Sequence, residues 1–362
     1  MTMENLKSIE VWLAGRLVGT MALTPEALCA FEYDAHWLQS GYSISPFELP
    51  LQGGVFVAKR DPFEGGFGVF DDCLPDGWGL LIMDRYLQSQ GIVPRQLNLL
   101  DRLALVGTTG RGALEFRPDR SLPDFSVVES FERLAHEVEE ILGETSYSGK
   151  GLTEMYRRGG SPGGARPKVF VSHEGAEWLV KFPAREDPKD IGQQEYRYAE
   201  MARTCGIEMM DCRLFEGQYF GTMRFDRTPT GEKIHVVSMA GLLCADYRTP
   251  CMDYDHIFQV ASRLTHDQKE LWKIFRLMCF NYVIGNKDDH AKNFAFLCRE
   301  GEWHFAPAYD LLPSYGMQGY HTTAINDSII PTDSDLLALA TRYGLNIHTA
   351  TAVLEEIKDE IP

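Results

Sequence analysis

The sequence has no stretch of some twenty uninterrupted apolar residues, and its opening, MTMENLKSIE, lacks a basic flank followed by an apolar core. A bilayer-spanning helix needs about 20 mostly apolar residues, and a secretory leader needs that basic-then-apolar order, so neither is expected and the chain reads as cytoplasmic. Paired cysteines are lacking too. The eight cysteines are scattered, with no C-x-x-C pair and no histidine at zinc-finger spacing. That pattern argues against a structural zinc site and predicts reduced, mostly buried thiols. Positive charge is scarce: 35 Lys and Arg against 52 Asp and Glu leave a net charge of -17. A field of that sign repels phosphate backbones, so strong direct binding of nucleic acid by the chain alone is not expected; a basic protein partner is the better charged ligand, the bland alternative being that the acidity only keeps the protein soluble.

What is present is enough apolar material for more than one core, at 44% of 362 residues, since single cores stop growing near this size. Residues 8 to 116 alternate short apolar runs, such as Val11-Trp12-Leu13 and Val55-Phe56-Val57, with Gly and Pro punctuation. This predicts short strands joined by tight turns, interrupted by a helix over 79–87 and another over 97–105. A proline-bearing stretch, 117–124, reads as a linker. Beyond it Val127, Phe131, Leu134, Ala135, Val138, Ile141 and Leu142 recur at helical spacing up to Gly143, which predicts a helix ending there. Residues 143 to 167, polar and rich in Gly and Ser, read as a mobile loop feeding a strand from Lys168. Two hairpins, one over 168–182 and one over 212–225, flank a helix over 190–205 and predict a small sheet with that helix against it. After Asp226-Arg227 helical periodicity dominates, apart from a hairpin over 294–305. The clearest helix there is given Thr265 and Gln268 as its capping box and Gly285 as its stop. The expected organisation is a β-rich subdomain over 1–118, a sheet-plus-helix lobe over 119–227 and a helical lobe over 228–362, with no internal repeat.

Directly after that helix stands Asn286-Lys287-Asp288-Asp289-His290-Ala291-Lys292-Asn293, then a hairpin, then Ala308-Tyr309-Asp310. The D-x-x-x-x-N spacing from Asp288 to Asn293 is that of a protein-kinase catalytic loop, in which the Asp takes the hydroxyl proton and the Asn holds magnesium. Asp310 fits the second metal-binding carboxylate. A transferring phosphoryl group carries spread negative charge, and Mg²⁺, which neutralises it, prefers carboxylate and amide oxygen. Alone, the spacing recurs by chance and an Asp-Asp pair is usually a solvated turn; its company here gives it weight. Lys181 lies mid-strand between Val180 and Phe182 on the opposite face, which suits an anionic partner such as an ATP phosphate. Glu195 shares a helical stripe with Ile191, Tyr198 and Ala202, so it is expected to point inward and pair with Lys181. The bland alternative is a snorkelling lysine and a solvated glutamate that never meet. Met223-Arg224-Phe225 ends the last strand of the small sheet, where main-chain groups meet adenine in two-lobed sites. Gly163-Gly164-Ala165 allows close approach of a phosphate but is not the G-x-x-x-x-G-K-[ST] loop.

At these residues the sequence resembles the HipA family. The matching runs are Ser161-Pro162-Gly163-Gly164-Ala165-Arg166-Pro167-Lys168, the strand lysine in Trp178-Leu179-Val180-Lys181-Phe182-Pro183, the loop Asn286 to Asn293, and Pro307-Ala308-Tyr309-Asp310; the likeness extends into the amino-terminal region at Leu74-Pro75-Asp76-Gly77. The resemblance implies an α+β, two-lobed protein-kinase-like fold with an extra β-rich amino-terminal subdomain and a mostly helical carboxy-terminal lobe, using ATP and Mg²⁺. It implies Asp288 as catalytic base, Asn293 and Asp310 as metal ligands, and Lys181 on the ATP phosphates. Gly163, Gly164, Ala165, Arg166, Pro167 and Lys168, then Met223, Arg224 and Phe225, then His290, Lys292, Tyr309 and Asp310 would complete the nucleotide pocket. Ser161 is similar to the family's autophosphorylated serine, whose modification withdraws the loop and switches the kinase off. Arg157, Arg158 and Arg166, nearby in sequence, are candidates to capture such a phosphate. Also implied are a bacterial growth-inhibiting toxin role, a protein substrate, an aminoacyl-tRNA synthetase among the family's targets, and a small HipB-like DNA-binding antitoxin. The competing readings are a small-molecule kinase using the same chemistry and a non-catalytic binding module.

Overall fold

A computed structural model describes residues 4–122, 128, 130–143, 150–159, 164–316 and 318–361. The chain divides into two compact units: the stretch up to Gln193 with Cys212–Val236, and Gln194–Asp211 with the stretch from Val237 onward. No helix among the described residues is long and apolar enough to cross a membrane.

The first unit holds two antiparallel sheets. Five strands pair in the order Val55–Val57, Cys29–Tyr33, Arg16–Leu23, Ser8–Leu13, Leu114–Arg117. Along Ser8–Leu13 the residues Ile9, Val11 and Leu13 are buried and their neighbours less so, the period-2 pattern of a strand with one face on a core. The helices Gly77–Ser89 and Leu99–Val106 stand where sequence periodicity put them. The stretch expected to be a linker is tied down at its start, for Arg120 donates its N–H to the Ala104 carbonyl at 2.8 Å.

The second sheet has the order Lys168–His173, Ala176–Lys181, Tyr219–Met223, Cys212–Phe215. Its first turn, Glu174-Gly175, has both residues at positive φ, as a two-residue hairpin matching the strand twist requires. Helix Phe131–Gly143 packs on it, with the Phe131 and Phe215 rings 4.5 Å apart. The Glu216 carboxylate, at the far turn of the sheet, accepts the N–H groups of Phe131 and Glu132 at 2.9 and 2.8 Å and so satisfies that helix's first turn.

Within the expected loop over 143–167 a helix forms at Lys150–Gly159. Leu152, Met155 and Tyr156 bury one face of it, and Glu154 pairs with Arg158 at 3.1 Å one turn on and with Arg133 at 2.8 Å. Three apolar residues in ten, between Gly- and Ser-rich flanks, carried too weak a periodicity to register.

The second unit is built round helix Gln268–Ile284, which buries Leu271, Ile274, Phe275 and Met278. Helices Tyr254–Leu264, Asp333–Arg342 and Ile347–Glu360 pack with it. Its cap differs from expectation: Asp267 is the N-cap and accepts from Lys269 N–H at 2.8 Å, while Thr265 ends the preceding helix and donates to the Ala261 carbonyl. An Asp at N-cap outcompetes a Thr two residues earlier that already has a carbonyl partner. The expected hairpin appears as Ala295–Arg299 with Glu302–Phe305, and a further, unexpected parallel pairing joins Met252–Asp253 to Thr323–Ala324.

Candidate active site

In the first unit the candidate phosphate-binding residues lie on one hairpin. Lys168 and Lys181 are direct cross-strand partners, so their side chains leave the same face of the sheet about 5 Å apart at Cβ. Lys168 is 6% exposed and Lys181 half-buried. Two lysine side chains leaving one face of a sheet suit an anionic ligand such as a phosphate. The turn before Lys168 comes close enough to join them: a Cβ on Gly164 would lie 2.7 Å from Lys168 Nζ, and Gly164 has φ +96°. Ala165 and Arg166 are exposed, with Arg166 paired to Asp187 at 3.0 Å, and Pro167 accepts the Phe182 N–H at 2.8 Å. Arg158 is buried against Glu154 and Arg157 is exposed. Ser161 and Gly163 lie outside the described residues.

The strand end at Met223, Arg224 and Phe225 is tightly built. Arg224 donates its N–H to the Glu177 carbonyl at 2.9 Å and grips Asp226 with Nε and Nη2 at 2.9 and 2.7 Å. Arg227 reaches the same carboxylate at 3.0 Å, and Gly112 N–H reaches it at 2.7 Å. Burial pushes the Asp226 carboxyl up, but the two guanidiniums and the amide outweigh it and hold the group well below the usual carboxylate range. The Arg224 side chain is thus spent inside its own unit, with its guanidinium carbon 3.8 Å over the Phe170 ring.

In the second unit Asp288 and Asp289 turn opposite ways: Asp288 is exposed and Asp289 is 1% exposed. Gly285 ends helix Gln268–Ile284 with φ +68°, which frees the chain to reverse into the loop. Three neighbours then fix Asp288. Its N–H reaches Ser314 Oγ at 2.8 Å and Asn286 Oδ1 at 3.3 Å, and its carbonyl accepts from Asn293 Nδ2 at 2.7 Å. Asn286, 3% exposed, also donates Nδ2 to the Asp310 carbonyl at 3.4 Å, so one buried amide ties the Asp288 loop to Asp310. Asp310 itself has φ +60°, a conformation a non-glycine residue adopts at a cost and keeps only where its surroundings hold it. Upstream, Ala308 donates its N–H to the Glu208 carbonyl at 2.8 Å, and Tyr309 Oη donates to the Lys292 carbonyl at 2.6 Å. His290 caps the short turn Ala291–Asn293, and Lys292 lies 4.0 Å over the Tyr247 ring. Glu195 belongs to this unit and is buried.

These residues fit a hard divalent cation. With Nδ2 donating to Asp288, Asn293 keeps its amide oxygen for an ion, and Asp310 supplies a carboxylate. Among the described residues no cluster of three or more His, Cys, Asp or Glu offers a protein cage. An ion held by one carboxylate and one amide retains several waters, as Mg²⁺ does.

Sequence reasoning missed the supports of the loop. Ser314, Thr322 and Thr323 bind it from more than twenty residues away: Thr322 N–H and Oγ1 both donate to the Lys287 carbonyl, at 3.1 and 2.8 Å. Nothing in a lone Ser or a Thr-Thr pair signals this at the level of sequence.

Comparison with known proteins places this architecture. The family model described as the HipA-like C-terminal domain matches residues 160–362, and that of the HipA N-terminal domain matches residues 9–117. Putative kinase Y4dM of Sinorhizobium fredii is 27% identical over 352 residues, spanning 90% of this chain and 82% of the relative. The serine/threonine-protein kinase toxin HipA of Shewanella oneidensis is 22% identical, spanning 100% of this chain and 89% of its own. The solved complex of Shewanella oneidensis HipA, HipB and operator DNA contains a chain that matches with a TM-score of 0.70 at 20% identity, over 96% of this chain and 88% of that one. That likeness establishes the α+β, kinase-like fold.

Proposed function

Because this chain belongs to the HipA family of kinases, with one family model matching its residues 160–362, we propose that it transfers the γ-phosphoryl group of ATP to a serine or threonine of a protein. The observation that carries the reading is the shared anchoring of Asp288 and Asp310 through Asn286, with Asn293 bonded to Asp288 in turn. Asp288, exposed and held at its backbone from both sides, accepts the proton of the attacking hydroxyl. Asn293 and Asp310 hold Mg²⁺, which when bound neutralises charge on the phosphates. Lys168 and Lys181 orient the phosphates through paired ammonium groups, and Gly164 lets the backbone approach them. Met223 and Phe225 flank the adenine, with His290, Lys292 and Tyr309 shaping the rest of the pocket.

Two further parts of the reading rest on the relatives. The S. oneidensis relative is a toxin, and the matching solved structure includes HipB and operator DNA; the corresponding role here is a cytoplasmic toxin restrained by a HipB-like antitoxin, which suits a chain of charge -17 facing a basic partner. Autophosphorylation at Ser161 is its off switch. The decisive experiment incubates the protein with radiolabelled ATP, Mg²⁺ and cell lysate. Labelled protein bands are expected from the wild type. Asp288→Asn should lose the labelling by about 10²- to 10⁴-fold while binding ATP normally; full activity in that variant would remove Asp288 from the mechanism.

A further inference from the structure

The turn that begins at Gly164 is held by a piece of chain 88 residues earlier. Gly164 N–H donates to Asp76 Oδ1, and the Gly164 carbonyl accepts the Trp78 N–H at 3.2 Å. The residue between, Gly77, has φ +43°, and a Cβ there would lie 2.6 Å from Gly164 O and 2.7 Å from Ala165 Cα. Only glycine lets the two backbones touch. Asp76 is the N-cap of helix Gly77–Ser89, yet its side chain makes no cap hydrogen bond to that helix. An aspartate in that position ordinarily accepts from the second or third N–H of its own helix. Here the carboxylate is turned away from the helix it begins and given to another segment's amide.

The same helix also holds the chain on the other side of 160–163. Tyr86 stacks on Tyr156 with centroids 4.3 Å apart and planes 8° from parallel, and Tyr156 belongs to helix Lys150–Gly159. Both flanks are therefore fastened to one helix of the amino-terminal region, none of whose residues is assigned to the nucleotide.

We propose that Asp76 is a positioning residue for phosphoryl transfer, fixing the Gly164 amide and through it the Gly164–Lys168 turn in the geometry that receives the nucleotide phosphates. The inference rests on the reading of that turn as phosphate-binding. Because Lys168 Nζ lies against Gly164, holding the glycine also sets the backbone beneath that ammonium. Asp76 acts through Gly164 and does not touch the nucleotide.

The test uses the full chain with Asp76→Ala, Asp76→Ser and Asp76→Asn, reading Mg-ATP affinity by calorimetry, KM and kcat separately, and hydrogen exchange of the Gly164 amide in nucleotide-free protein. Ser can cap the helix itself but is too short to reach Gly164, so it separates loss of the tether from loss of the fold. Ala and Ser variants should weaken Mg-ATP binding about tenfold, as expected for a hydrogen bond to a charged group. The loss should appear chiefly in KM, with faster exchange at Gly164. Asn, which keeps a carbonyl oxygen for the amide, should restore affinity to within about threefold. Wild-type affinity in Asp76→Ser, unchanged exchange, or failure of Asn to restore binding would overturn the role of Asp76. Absence of Mg-ATP binding by the wild type would instead overturn the nucleotide reading on which it stands.

Discussion

Asp289 Oδ2 lies 3.5 Å from His321 Nδ1, with both side chains buried while the neighbouring Asp288 is exposed. The other oxygen of Asp289 accepts the Thr323 N–H at 3.2 Å. The pair therefore joins the Asp288 loop to the short strand Thr323–Ala324. Burial raises the Asp289 carboxyl above its ordinary value, and contact with His321 and the Thr323 amide pulls it back only in part.

A raised carboxyl binds protons more tightly folded than unfolded. Its contribution to stability is complete below the unfolded pKa, near 4, and is lost as pH rises through the higher folded value. Asp289→Asn, neutral at every pH and still able to accept from Thr323, should gain stability relative to the wild type as pH rises from the unfolded value near 4. Thermal unfolding at pH 4 and at pH 8, expected to show a wider gap at pH 8, checks this.

Asn293 and Asp310 are expected to differ from Asp288 in what they disturb. Asp310→Asn and Asn293→Ala should shift the Mg²⁺ concentration for half-maximal activity upward by about tenfold or more, since each removes one hard oxygen donor. Asp288→Asn should leave that midpoint in place. Magnesium titrations of residual activity at saturating ATP distinguish the two behaviours.

Lys168 is best read through the nucleotide. A Lys168→Met variant should still unfold cooperatively in nucleotide-free form. The rise in melting temperature that Mg-ATP gives the wild type should vanish. Thermal shift with and without nucleotide reads both effects.

Asp226 is the opposite case, a buried charge with partners on every side. Asp226→Ala leaves Arg224, Arg227 and the Gly112 amide without their acceptor, at about 3 to 5 kcal/mol. The depressed carboxyl contributes stability that is present above its unfolded pKa and lost as pH falls through the folded one. Urea denaturation should therefore show the full gap at neutral pH and a narrowing gap below about pH 4.

The residues proposed to perform chemistry were more legible than those that support them. Asp288, Asn293 and Asp310 sit within a short span, and their spacing encodes a known geometric requirement. Helix Gln268–Ile284 and the two hairpins of the small sheet announced themselves by apolar period and turn residues. Helix Lys150–Gly159 did not, because its stability comes from one buried face and from Glu154 held between Arg133 and Arg158. Ser314 under Asp288, His321 beside Asp289 and Asp76 on Gly164 depend on pairings over tens of residues. Such contacts are set by how the core closes, which no local pattern records.

The bond from Gly112 N–H to Asp226, with the carbonyls of Gly110 and Gly112 accepting from Arg224 and Arg227, bears on how such a chain is inherited. A donor sequence grafted in place of the first hundred or so residues would have to bring a matching loop for that carboxylate and its two arginines. The amino-terminal sheet is therefore exchanged as a set with the strand end at Met223–Arg227 or not at all, and shuffled chimeras that divide the two should be recovered as insoluble protein.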